Sequence, residues 1–142
     1  MIKIISGSQF PKEVIPLIEK AKKNIRVVVF DWRWYPSDVG SSVQLFNQAI
    51  VRAARRGVAV SGIVNNDQIV KIFRDNACNF KKIIVPKLVH CKLMIIDEEI
   101  AITGSHNYTA SAFQMNLELS VIIDDVQAVA DMGRFYDNIW LK

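Results

Sequence analysis

The stretch from Val89 to Asn107, VHCKLMIIDEEIAITGSHN, limits what this chain can fold into more than any other part of it. Two short apolar runs, Cys91 to Ile96 and Ile100 to Gly104, are separated only by Asp97-Glu98-Glu99. Runs so short, with so brief a polar break, read as a β-hairpin. Side chains alternate between the faces of a strand, so His90 and Lys92 point one way and Cys91 the other. An antiparallel return of the second strand brings Ser105 and Asn107 back towards His90. An imidazole, an ammonium, a hydroxyl and an amide then converge. Together they suit an oxyanion, and phosphate is the natural candidate.

The rest of the chain supplies a frame for that hairpin. At 142 residues it is long enough for one domain, residues 1–142, with a core that needs no staples. Ile2 to Ser6 reads as a first strand. Pro11 to Lys23 has helical spacing, and Pro16 leaves two alternatives open: a kink there, or a later start. Ile25 to Phe30 (IRVVVF) is the near-continuous apolar run of a strand buried on both faces. Ser41 opens a helix with Gln44 in capping-box register, its stripe Val43, Phe46, Ile50 and Ala53, and Gly57 closes it. Val58 to Val64 is a strand, and Asn66 caps a helix reaching Ala77. Lys81 to Val85 reads as a further strand ended by Pro86. Beyond the hairpin come a short helical turn to Phe113, a strand from Leu117 to Ile123, and a last helix capped by Asp124 or Asp125. This order predicts an α/β fold: a mixed, mostly parallel sheet flanked by helices.

The pattern H-x-K-x4-D-x6-G-S-x-N, carried by His90, Lys92, Asp97, Gly104, Ser105 and Asn107, resembles the signature of the phospholipase D superfamily at every fixed position. The single copy of the motif in a short chain is similar to the Nuc-like endonuclease subgroup. The resemblance implies a phosphodiesterase that works through a phosphohistidine on His90. Lys92 and Asn107 would hold the non-bridging oxygens, and Ser105 would hydrogen-bond in the same cradle. Glu118 would orient the His90 ring, or else be an exposed strand residue. Asp97 would support the site, or else simply form the turn.

Chemistry adds to this independently. Phosphodiester cleavage needs a nucleophile, an acid for the leaving oxygen and positive charge on the phosphoryl oxygens. A neutral imidazole is available near pH 7, which suits His90 to attack. The only other histidine, His106, lies between Ser105 and Asn107 and so points away from them. No second acid is therefore in view. The short single-motif relatives solve this by pairing two chains, which makes a homodimer the expectation. No His, Cys, Asp and Glu cluster has ligand spacing, so neither a metal nor another cofactor is expected. A net charge of +4 favours an anionic partner, and nucleic acid, DNA ahead of RNA, is the expected one. A lipid phosphodiesterase and a non-cleaving nucleic-acid-binding module are the rivals; no apolar acyl groove is announced. In the loop after Phe30, Trp32 and Arg33 are candidates for stacking on bases and touching phosphate, with burial the alternative for the tryptophans. Lys81, Lys82 and Lys87 form either a basic rim or a solvated edge. Cys78 and Cys91 make no disulfide framework, no apolar segment spans a membrane, and Met1 to Ile5 is no leader; a cytoplasmic protein is expected, with a removed leader still open.

Overall fold

The run Ile25–Val28 does become an interior strand, and the sheet is built outward from it. A computed structural model describes residues 1–142. In chain order its elements are β1 (Ile2–Ser6), α1 (Gln9–Lys20), β2 (Asn24–Val28), α2 (Ser42–Arg55), β3 (Ala59–Ile63) and α3 (Asp67–Asp75). There follow β4 (Asn79–Lys81), β5 (Leu93–Ile96), β6 (Ile100–Gly104), α4 (Ala110–Gln114), β7 (Leu119–Ile123) and α5 (Val126–Trp140). One seven-stranded sheet has the order β1-β7-β6-β5-β2-β3-β4.

The sheet is mixed, as expected. β2, β3 and β4 pair in parallel through helical crossovers, whereas the β5–β6 hairpin pairs antiparallel with β2 and then with β7, which pairs antiparallel with β1. Only β5 and β7 run against the rest, so most strands point one way. Most of the ladders are nonetheless antiparallel, because a two-strand turn as tight as Asp97–Glu99 permits no crossover. The strand expected at Lys81–Val85 is shifted: β4 ends at Lys81, and Ile84 is 90% exposed. Phe80 anchors β4 by stacking on Phe73, and residues 82–92 pass along the sheet edge without a ladder.

Several local readings carry through. Ser41 accepts from the Gln44 N–H, Asn66 from Gln68 and Ile69, and Asp125 from Ala128. Helix α1 begins at Gln9 and runs through Pro16 to Lys20, which excludes the later start. The two faces of the sheet are unequal. Helices α1 to α4 cover one face with a core of 31 buried residues, among them Phe10, Ile18, Phe46 and Ile50. Helix α5 alone covers the other, over seven buried residues that include Val28, Ile63, Ile95 and Tyr136. It does not reach the β7–β1 side, where Ile2, Ile4 and Leu119 are 70%, 58% and 56% exposed.

Of the two tasks expected of Asp97, it takes the turn, and it does more there than turn the chain. It sits at the hairpin turn with φ +56°, at the opposite end of β5 from His90. Its carboxylate accepts from the N–H groups of Lys22, Lys23 and Asn24, at 2.6 to 3.2 Å, where α1 turns into β2. It therefore supports the sheet rather than the cluster at His90. Burial disfavours its charge, but donation from Lys23, Lys22 and Asn24 outweighs that and holds the carboxyl below its ordinary range. Asp97→Ala should cost about 1–3 kcal/mol at neutral pH by leaving those donors without the carboxylate. The pKa is lower in the folded state, so this stability is present above the ordinary carboxylate value of about 3.9 and is lost as pH falls through the lowered one. Urea unfolding of both proteins at pH 7 and at strongly acid pH should show the gap closing; an equal gap at both would refute the carboxylate's role.

Candidate active site

Strand direction gathers the site. β2 and β6 end, and β5 and β7 begin, at the same edge of the sheet, as the pairs Val28↔Leu93, Leu93↔Thr103 and Gly104↔Ser120 show. His90 and Lys92 precede β5, Ser105 and Asn107 follow β6, and Glu118 precedes β7. Such an edge, at the carboxyl ends of parallel strands, is where ligands settle in open α/β sheets.

His90 is exposed, and its Nδ1 lies 3.1 Å from the Lys92 Nζ, which also hangs over the Phe30 ring. The His90 and Phe30 ring centroids are 4.8 Å apart. Nε2 lies 3.4 Å from the same ammonium, which has only protons to give, so the ring edge meets Lys92 as an acceptor. The backbone beneath is fastened by Asn65, whose Nδ2 donates to the carbonyls of Phe30 and Val89 at 3.0 and 3.1 Å. Asn107 is oriented in a similar way. Its Oδ1 accepts from the Asp31 N–H at 3.1 Å, which leaves the Nδ2 protons for a ligand. A short parallel bridge holds the two loops in that register: the Arg33 N–H donates to Tyr108 O and the Tyr108 N–H to Asp31 O.

Glu118 and Ser105 pair with each other. The Ser105 hydroxyl donates to Glu118 Oε1 at 2.5 Å and accepts from the Leu119 N–H at 3.0 Å, while Asn116 donates to Oε2. Glu118 thus orients Ser105 and not His90. The Ser105 proton is committed to the carboxylate, so its hydroxyl fixes the loop rather than offering a donor outward. Gly104 is required just before it: a Cβ there would lie 2.3 Å from Ser120 Oγ and 2.4 Å from the Leu119 carbonyl.

Two aromatic neighbours fall out of the site. Trp32 is 1% exposed, its indole N–H donates to Asn47 Oδ1 at 2.6 Å, and Phe46, Phe73, Phe80 and Tyr108 surround it. It is a core residue with a satisfied polar tip and cannot stack on a base. His106 is equally buried, stacked on Phe10. The Gly7 carbonyl can only accept, so His106 Nε2 carries the proton and Nδ1 accepts from the Ser120 hydroxyl. Burial pushes its pKa down, and the Gly7 bond opposes this only partly. Arg33 remains exposed at the edge, paired with Asp31 at 2.8 Å. Of the three lysines before the motif, Lys81 lies over the Trp140 ring and donates to its carbonyl, and Lys82 pairs with Asp67. No group of three or more His, Cys, Asp and Glu side chains converges anywhere. Sequence reading missed Phe30, Asp31 and Asn65 as positioning residues. The Asn65-Asn66 pair after β3 was the available signal, since one cap needs only one asparagine.

The family model described as cardiolipin synthase, PLD-like domain, matches residues 14–140. The chain belongs to the phospholipase D superfamily. A phospholipase D of Rickettsia conorii is 31% identical over 131 residues, covering 88% of this chain but only 59% of that relative. Among solved structures, Nuc of Salmonella typhimurium superposes with TM-score 0.81 and NucT of Helicobacter pylori with 0.80. Both are 20% identical and cover 99% of this chain and 95% of theirs. The likeness to Nuc and NucT extends the phospholipase D fold over the whole length.

Replacing Trp32 separates the core role from the recognition role. Trp32→Phe should lower stability by about 1–3 kcal/mol, because Asn47 Oδ1 loses its donor. Affinity for single-stranded DNA, read by anisotropy, should be unchanged; a clear loss of affinity with stability intact would restore Trp32 to the binding surface.

Proposed function

We propose that this chain is a phosphodiesterase that cleaves nucleic acid as a homodimer, without a divalent metal. One observation carries the reading: an exposed imidazole with a lysine ammonium 3.1 Å from its Nδ1, at the same sheet edge as an Asn107 amide whose oxygen is taken by the Asp31 N–H and whose Nδ2 protons are not. A ring nitrogen of His90 attacks phosphorus and forms a P–N bond. Lys92 and the Asn107 Nδ2 group stabilise the charge on the non-bridging oxygens. The leaving oxygen departs with a proton, and water then hydrolyses the phosphohistidine. The net charge of +4 supports a polyanionic substrate.

The proton must come from a second group. His106 is buried against Phe10 and tied at both nitrogens, so this chain alone has no free second imidazole. A two-fold axis provides one from an identical chain. The bare strip of Ile2, Ile4 and Leu119 beyond α5 supports such an association, because it leaves apolar sheet surface beside Glu118 uncovered.

A second reading has its own support. The chain also contains an apolar groove of about 320 Å³, unannounced by the sequence, lined by Ile83, Leu88, Val89, Cys91, Phe135 and Ile139. It is suited to acyl chains and favours a lipid phosphodiester, in keeping with the phospholipase name of the Rickettsia relative. Labelled DNA, RNA and phosphatidylcholine assayed side by side, with a chelator present, should show nucleic-acid cleavage. Preference for the lipid would select the second reading, and loss of all turnover to the chelator would end the metal-free one.

Binding and chemistry should separate. His90→Ala should lower turnover by at least about 10²-fold with affinity for DNA nearly intact. Lys92→Ala should damage both, because it removes the charge that meets the phosphate. Appreciable turnover in His90→Ala would eliminate the nucleophile assignment. The shared site has its own test in co-refolded equal mixtures of wild type and His90→Ala. Random pairing leaves about a quarter of dimers with both histidines, and activity should track that fraction. Activity near half would mean that each chain works alone.

A further inference from the structure

An open cleft of about 510 Å³ lies between the carboxyl ends of β2 and β3, within the size range of small-molecule sites. Phe30, Asp31, Arg33, Asn65, Asn66 and Gln68 line it. It adjoins the phosphate edge directly, since Phe30 belongs to both and its ring lies 4.8 Å from that of His90. A diester held at His90 and Lys92 therefore has one substituent within reach of this cleft.

The lining selects among possible substituents. An acyl chain finds one apolar wall, Phe30, against six polar residues once Asp67 at the rim is included. A further phosphate finds two carboxylates, Asp31 and Asp67, whose cations are already engaged: Arg33 with Asp31 at 2.8 Å and Lys82 with Asp67 at 3.2 Å. The lining has two carboxylates to one guanidinium and offers no free cation to an anion. A flat polar heterocycle finds what it needs. Asn65 gives its Nδ2 to the carbonyls of Phe30 and Val89, so its Oδ1 remains as an acceptor. Asn66 gives its Oδ1 to the N–H groups of Gln68 and Ile69, so its Nδ2 remains as a donor. A fixed acceptor thus stands beside a fixed donor, and the exposed Gln68 carboxamide carries both. Asparagine and glutamine read base edges by that donor–acceptor pairing, and an aromatic face accepts a stacked base.

We propose that this cleft is a nucleobase subsite, which holds the base next to the scissile phosphate through the Asn65, Asn66 and Gln68 carboxamides. The proposal rests on the nucleic-acid reading and adds base preference to it. Gln68 is the residue to change, because it is exposed and its side chain holds nothing else in place. The measurement is kcat/KM for single-stranded oligonucleotides of each base, relative to bis(4-nitrophenyl) phosphate, a diester with no base. In Gln68→Ala that ratio should fall about tenfold, the weight of one good hydrogen-bonded contact, and the spread among the four bases should narrow. Independently of turnover, the side-chain amide NMR signals of Gln68 and Asn66 should shift with nucleoside monophosphates and stay put with inorganic phosphate. An unchanged ratio, or amide signals that ignore the nucleotides, would overturn the subsite. A drop in phosphatidylethanolamine hydrolysis instead would assign the cleft to a lipid headgroup and overturn it too. Wild-type protein that cleaves bis(4-nitrophenyl) phosphate but no oligonucleotide would defeat the nucleic-acid reading itself, and the NMR titration would still judge the cleft.

Discussion

The antiparallel insertion of β5 against β2 is the constraint on which the site depends. Parallel strands alone would put the start of β5 at the opposite edge from the end of β2. The pair Val28↔Leu93 instead sets the residues before β5 against the residues after β2, so His90 meets Phe30 and the Lys92 ammonium lies over the same ring. The hairpin then returns β6 to that edge, and Asn107 can reach the Asp31 N–H. Register follows from the buried faces: a slip of one residue would turn Leu93 and Ile95 away from the α5 core.

What was legible in the sequence was local. The hairpin, the helix caps at Ser41, Asn66 and Asp125, and the return of Ser105 and Asn107 to the sheet edge of His90 and Lys92 all follow from short spacings. What was not legible depends on partners distant in sequence. Nothing near Trp32 shows that Asn47, on the second turn of α2, will take its indole N–H. Glu118 is oriented to Ser105 by the β6–β7 pairing, which no short window contains. Asp97 reads as a turn residue or a site residue, and only the meeting of the hairpin tip with the α1–β2 corner reveals three waiting N–H donors. The apolar groove is of the same kind, since Ile83 and Leu88 meet Phe135 and Ile139 only through the fold.

The polarity around His90 divides along the extended segment that leads into β5. Val89 and Cys91 line the apolar groove, whereas His90 and Lys92 stand on the side of the Phe30 ring. A single alternating segment thus separates a greasy surface from a polar one within a few residues. The Asn65 amide spans the join, with one proton on each carbonyl. Loosening it would disturb the backbone under His90 and the polar cleft together.

The edge strand β1 has consequences for how the molecule comes into being. Its only ladder is with β7, from Ile2↔Ile123 to Ser6↔Leu119, which makes it the most distant strand pairing of the sheet. In the β2–β3–β4 half, three-residue loops join α2 to β3, β3 to α3 and α3 to β4, so those contacts are local and can form early. β1 has to wait, carrying Ile2, Ile4 and Ile5 without a neighbour, until β7 leaves the ribosome. Loop-closure entropy makes so distant a pairing slow. The Ser105–Glu118 contact depends on the same strand, so the site edge shares the long-range pairing that β1 requires.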